Sequence, residues 1–281
     1  MGKNIKVEVI EPFNFKEDPK IVYPKTYKMW VDRETFEKLD RQNLVKIIDS
    51  TNSNNILNKE LLIHVICHSH NDRGWLTTLD YYYSGNNKFK VSVKKILDSM
   101  VISLLNNKER KFSYVEMIFF SRWYYNQTEE IKIKVKELIK EGRLEIINGG
   151  WVMHDEACSH YKHLLDNMRI GFNFLKKEFN IIPKIGWFID DFGHSATNSL
   201  LLIQMGFENI VLTRLNHQEK KYRIENHNLE FIYDPFGQNQ KIFTHVSYFH
   251  YNIRKILNKY YDEKKISLNQ NQINDVCEKF Y

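Results

Sequence analysis

Cysteine is scarce in this sequence, and its spacing excludes two classes of protein. Of 281 residues only three are cysteines, Cys67, Cys158 and Cys277, and no two of them form a CxxC pair. Disulfide-stabilised domains and thiolate zinc sites both require paired or closely spaced cysteines. The sequence therefore predicts neither a disulfide framework nor a zinc site built from cysteine.

Long hydrophobic runs and basic stripes are missing as well. No run of 18 apolar residues occurs, and the N-terminus lacks the apolar segment of a signal peptide. We therefore expect neither a membrane span nor a signal peptide in this chain. The formal net charge is +6, but lysine and arginine are not interleaved with aromatic residues along one stripe. For this reason we expect no nucleic-acid partner.

The composition is that of a folded domain. Hydrophobic residues make up 42% of the chain and aromatic residues 14%, which excludes global disorder. A chain of this length is ordinary for one α/β domain. Residues 1–60 are polar and weakly periodic, so we interpret them as an N-terminal extension that leads into the domain.

From residue 61 onward, short apolar runs alternate with helical patterns. Helices are predicted from apolar residues spaced at i, i+3 and i+4 and from end signals such as Gly142 and Gly206; they cover 93–105, 129–140, 163–179 and 195–205. Strands are predicted over 62–67, 112–119, 144–147, 185–189, 210–212, 229–233 and 241–246. Such alternation predicts a parallel sheet, either an open doubly wound sheet or a barrel, and periodicity does not choose between them.

Two of the predicted strands end in groups that bind metals. His70 and Asp72 follow the first strand, and their spacing places both side chains on one face of an extended chain. Asp190 and Asp191 close the strand over 185–189. Because carboxyl ends of parallel strands share one edge, these groups are expected to meet there as ligands suited to Zn²⁺. The alternatives are a loop hydrogen bond between His70 and Asp72, and helix capping by Asp191.

Other residues at the strand ends are typical of a sugar-binding site. Trp75, Phe192 and Trp151 offer apolar faces on which sugar rings stack, although each aromatic residue alone is more often part of a core. Arg214 follows the strand over 210–212, where it could hold a substrate hydroxyl, orient a carboxylate or form a surface ion pair. His194 is open between support of the site and helix capping, and the segment 148–156 is rich in groups that bind hydroxyls.

Four strings in this order resemble glycoside hydrolase family 38, the α-mannosidases, and above all its Golgi and lysosomal branch. They read His-Ser-His-Asn-Asp-Arg-Gly-Trp (68–75), Tyr-Val-Glu-Met-Ile-Phe-Phe-Ser-Arg-Trp (114–123), Gly-Arg-Leu-Glu-Ile-Ile-Asn-Gly-Gly-Trp-Val-Met-His-Asp-Glu-Ala (142–157) and Ile-Asp-Asp-Phe-Gly-His-Ser-Ala-Thr (189–197). The resemblance extends from about residue 60 to 250. It implies a seven-stranded parallel α/β barrel, with residues 61–281 as the N-terminal catalytic domain, incomplete at its C-terminal end.

The resemblance also implies a set of site residues. His70, Asp72 and Asp190 match zinc ligands, and Asp190 is also the nucleophile of a retaining α-mannosidase that hydrolyses mannose-containing oligosaccharides and N-glycans. The substrate-binding residues implied are Trp75, Phe192, Arg214 and Tyr251. The family acts in the lumen of the Golgi, lysosome or vacuole.

The sequence departs from the family pattern in two ways. Arg73 and Asp191 stand where the family usually has proline, and Asp191 adds a charge that we expect to raise the pKa of Asp190. The general acid and a fourth zinc ligand, a histidine, lie further along a much longer chain in the family. We therefore expect the 281-residue chain alone to act slowly and on activated α-mannosides only.

Two other functions fit the same residues. Zinc-dependent carbohydrate deacetylases also carry histidine and aspartate ligands at strand ends, and they release acetate rather than mannose. A truncated, non-catalytic protein that still binds mannosides through zinc is the second alternative.

Overall fold

A computed structural model of the protein describes residues 66–86 and 91–251. The predicted N-terminal extension, the start of the first predicted strand and residues 252–281 lie outside this part of the chain. The helices are α1 (Leu79–Ser84), α2 (Val93–Asn106), α3 (Met117–Tyr125), α4 (Glu129–Lys140), α5 (Tyr161–Phe179), α6 (Ala196–Gln204) and α7 (His217–Glu225). The strands are β1 (Phe112–Tyr114), β2 (Leu144–Ile146), β3 (Ile185–Phe188), β4 (Asn209–Leu212), β5 (Glu230–Tyr233) and β6 (Ile242–Val246).

The strands form two sheets. β1 and β2 are parallel and make a two-stranded sheet. A single parallel bridge between His68 and Ser113 joins the start of the segment 68–75 to β1. The second sheet has the order β3-β4-β6-β5. A backbone hydrogen bond of 2.7 Å from the N–H of Asn148 to the carbonyl of Ile185 connects the end of the first sheet to the start of the second.

The predicted seven-stranded parallel barrel is wrong. Within residues 66–86 and 91–251 the structure has a two-stranded and a four-stranded sheet, and β5 runs antiparallel to β6. Only residues 234–241 connect β5 to β6, whereas a parallel connection needs about a dozen residues or more to cross over. The loop length therefore makes this pair a hairpin.

A second correction concerns the apolar run 112–119, which was predicted to be one strand. Its first three residues form β1, but α3 begins at Met117. Short apolar runs do not distinguish a buried strand from a buried helix by periodicity, and most residues of α3 are buried. The four predicted helices are confirmed to within two residues at each end, with Gly142 and Gly206 at positive φ beyond α4 and α6.

Helix α5 packs against both sheets. Phe174 and Leu175 belong to the hydrophobic cluster over β1 and β2, while Met168, further back along the same helix, belongs to the cluster over the second sheet. Gly171 lies between them, and a Cβ added there would come within 1.9 Å of the carbonyl oxygen of Gly149. The helix therefore passes directly over the turn that ends the first sheet. None of the helices in the described part of the chain is long and apolar enough to cross a membrane.

Candidate active site and metal centre

The predicted metal ligands come together. His70 and Asp72 lie in the loop that follows the bridge to β1, and Asp190 lies just beyond β3. His70 Nε2 is 3.3 Å from Asp72 Oδ1 and 3.4 Å from Asp190 Oδ2. One ligand atom from each residue lies within 4.8 Å of the other two. The two loops thus present an imidazole and two carboxylates to one point.

These separations fit a metal ion better than hydrogen bonds. Both are longer than the usual N–H···O distance of about 2.9 Å. Ligands of a tetrahedral zinc ion lie about 2.0–2.2 Å from the metal, so two of them are about 3.3–3.5 Å apart. The contacts from His70 to Asp72 and Asp190 match that edge length. Three protein ligands also leave the fourth position open, which is typical of a catalytic site.

Arg214 and Tyr251 hold Asp190 from the other side. Arg214 Nε donates to Asp190 Oδ1 at 2.8 Å, and Tyr251 also forms a side-chain hydrogen bond with this carboxylate. The ring of Tyr251 lies 5.0 Å from that of His70. Burial by itself would raise the pKa of Asp190, but the hydrogen bonds from Arg214 and Tyr251 outweigh burial and lower this pKa. Asp190 is therefore kept as a carboxylate.

Asp191 does not shift the pKa of Asp190 in the direction that the sequence predicts. Its charge does not raise the pKa of Asp190, because Arg214 dominates there. Instead, the pKa of Asp191 itself is raised to about 7, first by burial and then by the negative charge of Glu156. Asp191 is 6% exposed, and it does not cap α6, whose N-cap residue is Ser195. The side chain of Ser195 makes no capping hydrogen bond.

A network of Glu156 and His194 supports the loop of Arg214. Glu156 accepts hydrogen bonds from the N–H of Ser195 at 2.7 Å and from His194 Nδ1 at 3.0 Å. His194 Nε2 lies 2.8 Å from the carbonyl oxygen of Arg214. Burial opposes a charge on His194, but Glu156 and this carbonyl outweigh burial and raise the pKa of His194. Of the two roles left open for His194, support of the site is the one found.

Glu116 is a site residue whose role sequence reasoning missed. It is 1% exposed, and its carboxylate accepts hydrogen bonds from the backbone N–H and the side-chain amide of Asn71, at 3.2 and 3.3 Å. Burial raises the pKa of Glu116 to about 7. The signal for this role was a glutamate inside the apolar run 112–119, because a buried carboxylate requires hydrogen-bond partners.

The aromatic residues divide into two groups. Trp75 and Phe192 are 76% and 75% exposed, and they shortly follow Asp72 and Asp190 in sequence. Trp151 instead packs against the hydrophobic cluster over β1 and β2. The structure therefore leaves Trp75 and Phe192 accessible to a ligand and places Trp151 at the core.

The sequence matches one family over most of its length. The model of the glycosyl hydrolases family 38 N-terminal domain matches residues 60–280. A probable α-mannosidase of Arabidopsis thaliana is 47% identical over 198 residues, which are 68% of this chain and 19% of the relative. The lysosomal α-mannosidase of Dictyostelium discoideum is 43% identical over 191 residues, or 67% and 19% of the two chains. The lysosomal α-mannosidase of Bos taurus is 45% identical over 177 residues, or 62% and 18%.

Among solved structures, an α-mannosidase from Enterococcus faecalis V583 superposes with a TM-score of 0.52 and 18% sequence identity. It covers 65% of this chain, which in turn covers 20% of the solved chain. This likeness concerns the fold. The chain spans about a fifth of the length of the curated relatives that it matches.

Proposed function

The chain belongs to glycosyl hydrolase family 38, and we propose that residues 61–281 form the N-terminal catalytic domain of a zinc-dependent retaining α-mannosidase. The observation that carries this proposal is the meeting of His70, Asp72 and Asp190 within 4.8 Å of one another, with both contacts of His70 at the separation of ligands that share one ion. The relatives, α-mannosidases from a plant, an amoeba and a mammal, supply the substrate class.

Zinc is the metal proposed for this site. A neutral imidazole nitrogen and carboxylate oxygens are among the ligands that Zn²⁺ accepts, and three protein ligands leave a position for substrate. When bound, the ion supplies Lewis-acid polarisation and stabilises negative charge on oxygens of the sugar. The resemblance to the family favours the 2- and 3-hydroxyls of mannose as those oxygens.

Asp190 is the proposed nucleophile. In the first step, one carboxylate oxygen forms a bond to the anomeric carbon while the glycosidic bond breaks and its electron pair leaves with the departing oxygen. In the second step, the oxygen of a water molecule forms a bond to the same carbon while the bond to Asp190 breaks, which restores the carboxylate. The proton that this water gives up to solvent balances the proton that the departing oxygen takes up. Two inversions at one carbon retain the configuration.

Arg214, Tyr251 and the exposed aromatic residues have separate roles in this proposal. Arg214 and Tyr251 keep the nucleophile ionised and oriented through their hydrogen bonds to Asp190. Trp75 and Phe192 provide apolar faces for the C–H side of a mannose ring. The lysosomal α-mannosidases among the relatives support a mannose-containing substrate and the lumen of the lysosome as the location. The family resemblance adds oligosaccharides and N-glycans as substrates and the lumen of the Golgi or vacuole as further locations.

The test uses the full chain, supplied with zinc, and an aryl α-mannoside whose phenolate departs with little protonation. We expect slow release of the phenol, abolished by Asp190→Asn and by a chelator, and restored by zinc after chelation. Asp166→Asn is the matched control, because Asp166 is exposed and pairs only with Arg169 on α5 among the described contacts.

The outcome separates the alternatives. Release of phenol that is unaffected by Asp190→Asn contradicts the assigned nucleophile. Zinc-dependent release of acetate from an acetylated sugar, without release of phenol, favours the deacetylase. Binding of zinc and mannoside without either product favours the non-catalytic alternative.

A further inference from the structure

Asn71 lies between His70 and Asp72 in sequence, and its side chain points away from the proposed metal site. His70 and Asp72 meet each other and Asp190, whereas the side chain of Asn71 is buried against Glu116. Alternation of this kind is expected in extended backbone, where neighbouring side chains lie on opposite faces. The orientation of Asn71 therefore determines where the two ligand side chains point.

Glu116 binds Asn71 at two positions. Its Oε1 accepts from the backbone N–H at 3.2 Å, and its Oε2 accepts from the side-chain amide at 3.3 Å. The amide of Asn71 also donates to Ser69 Oγ at 2.9 Å. Both the backbone and the side chain of the residue between the ligands are thus fixed by one carboxylate from another part of the fold.

The helix that follows Glu116 does not require a glutamate at this position. It is the N-cap residue of α3, where serine, threonine, aspartate and asparagine are preferred, and its side chain makes no capping hydrogen bond. It is almost completely buried, which is costly for a carboxylate. The carboxylate of Glu116 therefore neither caps α3 nor faces water. The interaction that the structure shows for it is the pair of hydrogen bonds from Asn71.

We propose that Glu116 is a positioning residue for the metal centre, which holds Asn71 so that His70 and Asp72 face one ion. The proposal rests on the proposed function in that the ion is zinc. Glu116 contacts Asn71 through both of its oxygens, and its negative charge also acts on the imidazole of His70. Its effect through Asn71 is on the arrangement of the ligands before binding. Loss of hydrogen-bond partners that orient metal ligands typically weakens metal binding about 10–100-fold.

The test compares the zinc dissociation constants of the unmodified chain, E116A and E116Q by competition with a chelator of known affinity. We expect E116A to bind zinc about 10–100-fold more weakly. We expect E116Q to stay within about threefold of the unmodified chain, because a glutamine oxygen still accepts from the backbone N–H. The amide of Asn71 can turn over so that its oxygen accepts from the glutamine and from the hydroxyl of Ser69.

Two results overturn the proposal. Equal zinc affinity of E116A and the unmodified chain removes any role of Glu116 in binding. Equal weakening in E116Q and E116A shows that Glu116 acts through its negative charge rather than by holding Asn71. L138A is the control for general destabilisation, since Leu138 is a buried residue of α4 in the hydrophobic cluster over β1 and β2. If L138A weakens zinc binding as much as E116A does, the effect is not specific and the proposal fails.

A second measurement does not require metal. Hydrogen exchange of the Asn71 backbone amide in the metal-free chain is expected to be slow, to accelerate in E116A and to remain slow in E116Q. Equal exchange in all three overturns the proposal. Should E116A not fold, N71A replaces it, with an expected weakening of several-fold because only the side-chain contact is lost; unchanged affinity then contradicts the proposal. Failure of the unmodified chain to bind zinc rejects the proposed function instead.

Discussion

Arg214 binds one oxygen of Asp190 and leaves the other oxygen facing His70. Arg214 Nε and Nη2 both donate to Oδ1, the former at 2.8 Å, while Oδ2 lies 3.4 Å from His70 Nε2. The two oxygens of one carboxylate therefore have different neighbours. This division allows Asp190 to be held in place by the guanidinium and to bind an ion at the same time.

Replacement of Arg214 by glutamine is expected to lower kcat/KM on an aryl α-mannoside about 10–100-fold, since a hydrogen bond to a charged group contributes about 1.5–3 kcal/mol. The pKa of Asp190 should rise, because Arg214 is the largest of the influences that lower it. The acidic limb of the pH–rate profile should therefore move to higher pH. Arg169→Gln, an exposed arginine on α5, is the control. An unchanged acidic limb in Arg214→Gln would contradict this role.

Replacement of His70 by alanine is expected to weaken zinc binding by more than about 100-fold, because the loss of a ligand exceeds the loss of a partner that merely orients one. Competition with a chelator provides the measurement. His245→Ala is the matched control, since His245 is paired with Glu230 on β5 rather than with the metal ligands. Equal affinity of the two variants would show that His70 is not a ligand.

The contribution of His194 to stability should depend on pH. The pKa of His194 is raised above 6.5 in the folded chain by Glu156 and by the carbonyl of Arg214. The folded state therefore binds the proton more tightly than the unfolded state does. This stabilisation is fully present below about pH 6.5 and is lost as the pH rises through the folded pKa.

His194→Ala should accordingly lower the free energy of unfolding by about 2 kcal/mol at pH 5.5 and by less at pH 8.5. Urea denaturation of the metal-free chain at both values measures the difference. His163→Ala, at an exposed position of α5, is the control. A loss that is larger at pH 8.5 than at pH 5.5 would reverse the sign and refute the argument.

Gly171→Ala should be among the most destabilising single substitutions in α5. The added methyl group would lie 1.9 Å from the carbonyl oxygen of Gly149, and backbone atoms cannot move aside as a flexible side chain can. Overpacking typically costs about 1–3 kcal/mol, and we expect at least the upper value here. Thermal unfolding should show a clear decrease for Gly171→Ala and little change for Gly193→Ala, where a Cβ meets nothing within 4 Å. Equal melting temperatures would contradict the close approach.

The meeting of His70, Asp72 and Asp190 was predictable because its signals are local. His70 and Asp72 follow a short apolar run, and so does Asp190, so the rule that strand ends share an edge was enough to place them together. Four of the seven helices in the described residues were predictable from residue spacing, two of them also from the glycine that follows the helix. In each case the relevant information lies within about ten residues of the chain.

The supporting contacts were not predictable because they join distant segments. Glu116 is 45 residues from Asn71, and Glu156 is 38 residues from His194. Nothing in the local sequence specifies these partners, only that a buried charge must have one. The barrel was implied by the family resemblance, and the number of apolar runs could not reveal that the sheet is divided or that β5 is antiparallel.

The ligands come from both sheets. His70 and Asp72 follow the segment that bridges to β1, and Asp190 follows β3. An ion bound by all three would act as a cross-link between the two halves of the domain. Zinc at a hundred times its dissociation constant would then add about 2.7 kcal/mol to stability. A core substitution that makes the metal-free chain unstable by less than this amount would be tolerated where zinc is plentiful. The same substitution would unfold the protein where zinc is scarce.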